Sequence, residues 1–231
     1  MTTSTILYSL LGGVLPALLW LAFWLHEDKK RPEPRGLLIR TFILGMCSVV
    51  LVLPFQKLVQ TSFPEALVLA FLFWAILEEG FKYIAAWIGG LRTRDDDEPI
   101  DNVIYLITAA LGFTALENAL FIANPLLELD FLGGLITGNM RFIGASVLHV
   151  VASGIVGVAL ALSFYKKKSV RLLWALGGLI LAILYHLAFN LIINFHPEGS
   201  TSLALILAWV GAVGLMLAFE RVKKVRPLST D

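Results

Sequence analysis

Three carboxylates, a lysine and two histidines fall in stretches of the chain that are otherwise almost wholly apolar. FWAILEEGFKYIAAW holds Glu78, Glu79 and Lys82; ALGFTALENALF holds Glu117 and Asn118; ASVLHVVASGIVG holds His149; ILYHLAFNLII holds His186 and Asn190. A charge at the centre of a membrane helix costs ~2.5–3.5 kcal/mol on insertion scales, so ionisable residues there point to a function unless they merely pair. On a helix advancing about 100° per residue, Glu78 and Lys82 share a face and can pair one turn apart, which leaves Glu79 on an adjacent face without a partner. Glu117 is a third carboxylate that needs a proton, a cation or a metal. His186 and Asn190 are spaced to address one cavity, as are His149 and Ser153. Asn118 alone would be an ordinary interhelical hydrogen-bonding residue.

Peptide hydrolysis needs an activated water, a proton donor for the leaving amine and a donor to the developing oxyanion. Glutamate can act as the base, histidine as base, acid or metal ligand, and asparagine as the oxyanion donor. Glu117, His149 and His186 also form a two-histidine, one-carboxylate set of the kind that holds a catalytic zinc with an open position, with Glu78 or Glu79 as base. These residue types fit a metal-activated water and a water held directly by glutamate and histidine equally well. Serine and cysteine chemistry fit less well: there is no nucleophile-elbow pattern and no HExxH, and Cys47 has no polar neighbour in its helix, where it reads as a small packing residue.

The elements that position these residues are membrane helices. The chain of 231 residues is 58% hydrophobic and 15% charged, with a mean hydropathy of +0.83, which places it in a bilayer rather than in water. A span takes about 20 apolar residues. Seven segments qualify: 5–25, 36–59, 64–91, 100–122, 139–165, 170–195 and 201–219. Backbone groups in hydrocarbon must be satisfied internally, so the fold class is an all-α transmembrane bundle. We read it as one domain, 1–231, with its motif-bearing core over about 64–195. The first segment has neither the preceding basic residues nor the small-residue cleavage pattern of a signal peptide, and reads as a retained helix.

Lysine and arginine collect in 26–35, 92–99, 166–171 and 220–231, with only Lys57 and Arg141 near helix ends on the opposite side. The positive-inside rule then puts the N-terminus outside and the C-terminus in the cytoplasm. The acidic run Asp95–Glu98 reads as a solvated cluster, with Asp101 near the start of the next helix. Residues 124–138, broken by Pro125, Glu128 and Asp130, read as an interfacial or re-entrant piece or a plain headgroup loop, and the former could gate lateral access. His26 and His196 fall in loops and carry no assigned role. No nucleic-acid binding is expected.

Glu78-Glu79-Gly-Phe-Lys82 resembles the EExxK motif of the PrsW intramembrane proteases, and Gly112-Phe113 through Glu117-Asn118 their GFxxxEN motif. His149 and His186-Leu-Ala-Phe-Asn190 resemble their two later histidine motifs, and Pro99-Ile-Asp101 and Tyr105 also fit. The resemblance runs in order from about 70 to 195. The related CAAX-processing and bacteriocin-processing proteases carry EExxxR, FxxxH and HxxxN; Lys82 and Glu117 place this chain on the PrsW side. The resemblance implies site-one cleavage of a single-pass membrane protein, such as an anti-sigma factor, in the bacterial cytoplasmic membrane. It carries over Glu78 and Glu79 as catalytic, with Glu117, His149 and His186 as site residues, and leaves metal-dependent and glutamate-type mechanisms both open. Two rivals remain: a proton-coupled transporter using the buried Glu, Lys and His as a relay, and a scaffold that binds membrane helices without cutting them.

Overall fold

The computed structural model describes residues 3–28, 31–195 and 200–227, and these are helical throughout apart from turns and connections. The helices are α1 (Thr3–Glu27), α2 (Arg35–Ser62), α3 (Leu67–Ala86), α4 (Pro99–Leu127), α5 (Phe131–Met140), α6 (Ser146–Leu162), α7 (Lys168–Phe195) and α8 (Ser200–Val222). A π turn at Trp87–Leu91 extends α3, and another at Arg141–Ala145 joins α5 to α6 without a break. Among the described residues six spans are long and apolar enough to cross a membrane, with Phe131–Leu162 counted as one. The seventh long helix is α3, whose apolar run is interrupted by Glu78, Glu79 and Lys82. His196 lies outside the described residues.

At the centre stands α4, buried on every side from Pro99 to Ala115 and packed by α1, α2, α3 and α6. A helix that is apolar all round is covered either by lipid or by protein, and here the neighbouring helices supply the cover. Close approach is permitted where Gly45 of α2 meets the Ala109 backbone and Gly112 of α4 meets the Phe42 backbone, positions with no room for a side chain. Cys47 does not pack inward as its sequence suggests; it is exposed on the outer surface of α2.

The stretch 124–138 is neither a loop nor an irregular re-entrant piece. Through Pro125, α4 continues to Leu127, the chain reverses at Glu128–Asp130 with Leu129 in the left-handed region at φ 62°, and α5 begins. The Asp130 side chain accepts from the Gly133 amide at 2.8 Å, capping α5. Pro125 lies in the last turn, so the hydrogen bond it removes is near the helix end and the break in composition is not a break in structure.

The basic segments gather at one end of the bundle. Arg31 pairs with Glu98 at 2.9 Å, Arg171 reaches Asn102 at 3.5 Å and Lys223 reaches Glu27 at 3.2 Å. Asp95 and Asp97 are solvated as the sequence suggests, but Asp96 and Glu98 are half-buried. Asp101 accepts from the Asp97 and Glu98 amides at 2.9 and 2.6 Å, and Tyr105 donates to Glu33. Burial, then the nearby Asp101 and Glu98, push the Asp28 carboxyl up to about 7 against the opposing Lys223. Burial pushes Asp96 up to about 7 against Arg171. Burial and a hydrogen bond with Asp101 push Glu33 up to about 9, with Asp28 adding to the effect.

A carboxyl whose folded pKa is raised stabilises the fold at low pH and loses that contribution as pH climbs through the raised value. The thermal midpoint in detergent is therefore expected to fall between ~pH 4, where the unfolded chain's carboxyls ionise, and ~pH 9, with the part of the fall above ~pH 7 removed in Glu33→Gln. An unchanged slope in Glu33→Gln would count against this account.

Candidate active site

Toward the other end of the bundle, α3, α4, α6 and α7 bring their polar residues together. Glu78, Glu79, Lys82, His149 and His186 are all buried. Lys82 pairs with Glu79, Nζ to Oε1 at 2.6 Å, and not with Glu78 as one-turn spacing suggests. Glu78 turns instead toward α2, where Gln56 Nε2 donates to its Oε1 at 2.8 Å. The backbone of Gln56 is itself tied down, its main-chain carbonyl accepting from the Trp74 indole at 3.2 Å.

Glu79 is the hub. Its Oε1 accepts from Lys82 and meets His186 Nδ1 at 2.7 Å, and Ser153 Oγ donates to Oε2 at 3.4 Å. A carboxylate bound to an ammonium can only accept, so His186 Nδ1 carries the proton and Nε2 presents a lone pair. That lone pair faces Glu78 Oε2 at 3.7 Å, too far for a hydrogen bond. Glu78 Oε2 is buried and makes no hydrogen bond to any of the described residues. Two acceptors thus face one another.

His149 sits edge-on to His186, ring centroids 5.1 Å apart, and Phe113 lies behind it at 5.4 Å. Its Nδ1 is 2.8 Å from Lys82 Nζ and its Nε2 is 3.1 Å from Glu117 Oε2. Ligand atoms of Glu78, His149 and His186 lie within 4.8 Å of one another, the one such set among the described residues. Glu117 stands outside that set, bonded to His149 and ion-paired with Arg141. Asn118 accepts from Arg141 Nε at 2.5 Å and donates to Ser146 at 3.1 Å. Asn190 is half-buried one turn beyond His186, and its side chain has no hydrogen-bond partner among the described residues.

Sequence reasoning missed Gln56 and Arg141. The signal for Gln56 was a lone amide shortly after Pro54 within an apolar span; Arg141 was set aside as a helix-end charge because the span was started at 139 rather than at Phe131.

The chain matches the model of the PrsW family of intramembrane metalloproteases over residues 33–219, extending the motif-bearing stretch in both directions. It is similar to Protease PrsW of Oceanobacillus iheyensis, 28% identical over 215 residues that cover 92% of this chain and 94% of that protein. It is also similar to Protease PrsW of Geobacillus kaustophilus, 28% identical over 168 residues (70% and 68% covered). With Protease PrsW of Bacillus subtilis it shares 25% identity over 188 residues (79% and 81% covered). No solved structure matches the chain significantly. Its apolar spans and these bacterial relatives make it an integral protein of the bacterial cell membrane. With the family model covering well over half its length, the chain belongs to the PrsW family of intramembrane metalloproteases.

Proposed function

We propose that the whole chain acts as a single protease domain that cuts a single-pass membrane protein, such as an anti-sigma factor, in a site-one step. The observation that carries the reading is the unpartnered Glu78 Oε2 facing the His186 Nε2 lone pair at 3.7 Å. A buried carboxylate oxygen left without a donor is costly, and a cation or a reacting water relieves it.

The donor set fits a metal. One carboxylate and two imidazoles from Glu78, His149 and His186 are zinc ligand chemistry, with His149 offering Nδ1 once Lys82, 2.8 Å away, yields it, and Glu117, occupied by Arg141, is less suited to be the carboxylate. A zinc ion held there would supply Lewis-acid polarisation of the scissile carbonyl and activation of water. The protein's own groups do the rest. Glu79, held by Lys82 and Ser153, keeps His186 in the tautomer that points Nε2 at the site. Gln56 holds one oxygen of Glu78 so that the other faces the reacting atoms, as a ligand where zinc is held and, where water is held directly, as the base that takes its proton and returns it to the leaving amine. Asn190, one turn from His186, is the donor to the developing oxyanion.

By the positive-inside rule the basic end of the bundle is cytoplasmic, which puts this cluster toward the outer side. The test is reconstitution with a single-pass substrate, with and without a zinc chelator, followed by metal analysis and mass-spectrometric mapping of the new termini. Expected are stoichiometric co-purifying metal, cleavage lost on chelation, and termini from the outer half of the substrate span. Active, metal-free enzyme would decide for water held directly by Glu78 and His186. Termini from the cytoplasmic half would overturn the orientation or the shared site.

A further inference from the structure

The cluster's geometry leaves one strongly placed residue without a role. Arg141 stands in the π turn between α5 and α6, inside a membrane span and largely buried. A π turn adds a residue and rotates the helix faces on either side of it, and such turns recur at functional sites. The guanidinium is held from three directions: NH2 pairs with Glu117 Oε2, Nε donates to Asn118 Oδ1 at 2.5 Å, and its carbon lies 3.9 Å over the Phe121 ring. All three partners belong to α4, so Arg141 docks the α5–α6 junction onto the central helix. Asn118 adds a second tie through Ser146, one turn before His149.

Glu117 Oε2, the oxygen gripped by Arg141, is also the one that meets His149 Nε2 at 3.1 Å. On the other side of the ring, Lys82 Nζ lies 2.8 Å from Nδ1. An ammonium has only donors, so Nδ1 must accept; the proton of the neutral ring is then on Nε2 and is donated to Glu117. Two independent contacts require the same tautomer. We propose that Arg141 is a positioning residue that, by clamping Glu117 and Asn118, fixes His149 with Nε2–H bound and the Nδ1 lone pair turned to the Lys82–Glu79 side of the cluster.

The inference rests on the protease reading for its consequence, but its central claim, the tautomer, is measured apart from it. Metal-ligating and catalytic histidines depend on the partner of the second ring nitrogen for orientation and tautomer. A role limited to neutralising Glu117 would be met by any cation. A lysine at 141 would keep the charge but could not grip Glu117, Asn118 and the Phe121 face together.

The experiment uses the full-length protein in lipid nanodiscs with 15N-labelled histidine, the His149 signals identified by their loss in His149→Gln. Wild type is expected to show Nε2 protonated and Nδ1 unprotonated. Arg141→Met is expected to lose that single tautomer and to lower kcat ~10–100-fold with KM little changed. Arg141→Lys is expected to recover only part of the rate. Protonated Nδ1 in wild type, an unaltered tautomer in Arg141→Met, or full rescue by Arg141→Lys would each overturn the proposal. Should Arg141→Met fail to accumulate, the wild-type tautomer and Arg141→Lys still decide it. A protein that shows the expected tautomer but cuts no substrate would refute the protease reading and leave the clamp standing.

Discussion

Glu78→Gln is expected to lower cleavage by ~10²–10⁴-fold while leaving the protein inserted and at least as stable as wild type. The reason is in its two oxygens. The glutamine carbonyl can take the place of Oε1 and accept from Gln56, as Glu78 does at 2.8 Å. Its amide nitrogen takes the place of Oε2, which in wild type is buried without a partner, and can donate to the His186 lone pair. The substitution thus fills a hydrogen-bonding deficit while removing the anionic oxygen that serves as base or as ligand. Cleavage rate and thermal midpoint should move independently, or in opposite directions. Wild-type-like cleavage by Glu78→Gln would remove the basis for the mechanism.

Lys82→Met should behave in the opposite way, costing ~3–5 kcal/mol of stability, because it strips the ion partner from a fully buried carboxylate. Glu79 would keep His186 and Ser153 but lose the ammonium at 2.6 Å. Glu79→Gln alone should be comparably damaging, since it leaves the buried Lys82 ammonium with no anionic partner beside the neutral His149 and the Phe113 ring. The double variant Lys82→Met/Glu79→Gln removes both charges, and much of the stability should return while activity does not. Thermal unfolding of the two single variants and the double variant is the measurement. Strictly additive losses would show that the pair is not coupled, and the account of Glu79 as hub would fail.

Why some of this could be read from the sequence and some could not has a physical basis. Glu78, Glu79, Lys82, Glu117, His149 and His186 stood out because polarity in an apolar run carries an insertion cost that selection tolerates only for a return. The partner of Lys82 was not legible: spacings of three and four residues both place side chains on neighbouring faces, and the choice fell to Gln56 on α2, which draws Glu78 away. The chemistry of Arg141 was hidden by a boundary. With the span begun at 139 it is a terminal charge; with α5 begun at Phe131 and run through a π turn, it is an intramembrane residue on Glu117. Composition misled over 124–138 because proline and acidic residues mark breaks in general, whereas here Pro125 falls in the last turn of α4 and Asp130 caps α5. The helices themselves were legible because hydrocarbon leaves the backbone few alternatives.

The pairing of Lys82 with Glu79 rather than with a distant helix bears on how the protein is made. During synthesis α3 reaches the bilayer before His149 and His186 exist, so none of their hydrogen bonds can help it partition. The i,i+3 pair lets Glu79 and Lys82 enter as a locally neutralised unit, and Gln56, already translated, can receive Glu78. Each unpaired charge at mid-membrane would otherwise burden that step by ~2.5–3.5 kcal/mol. The helix that carries the reactive glutamates therefore brings its own counter-ion to the translocon, and the later helices close around it.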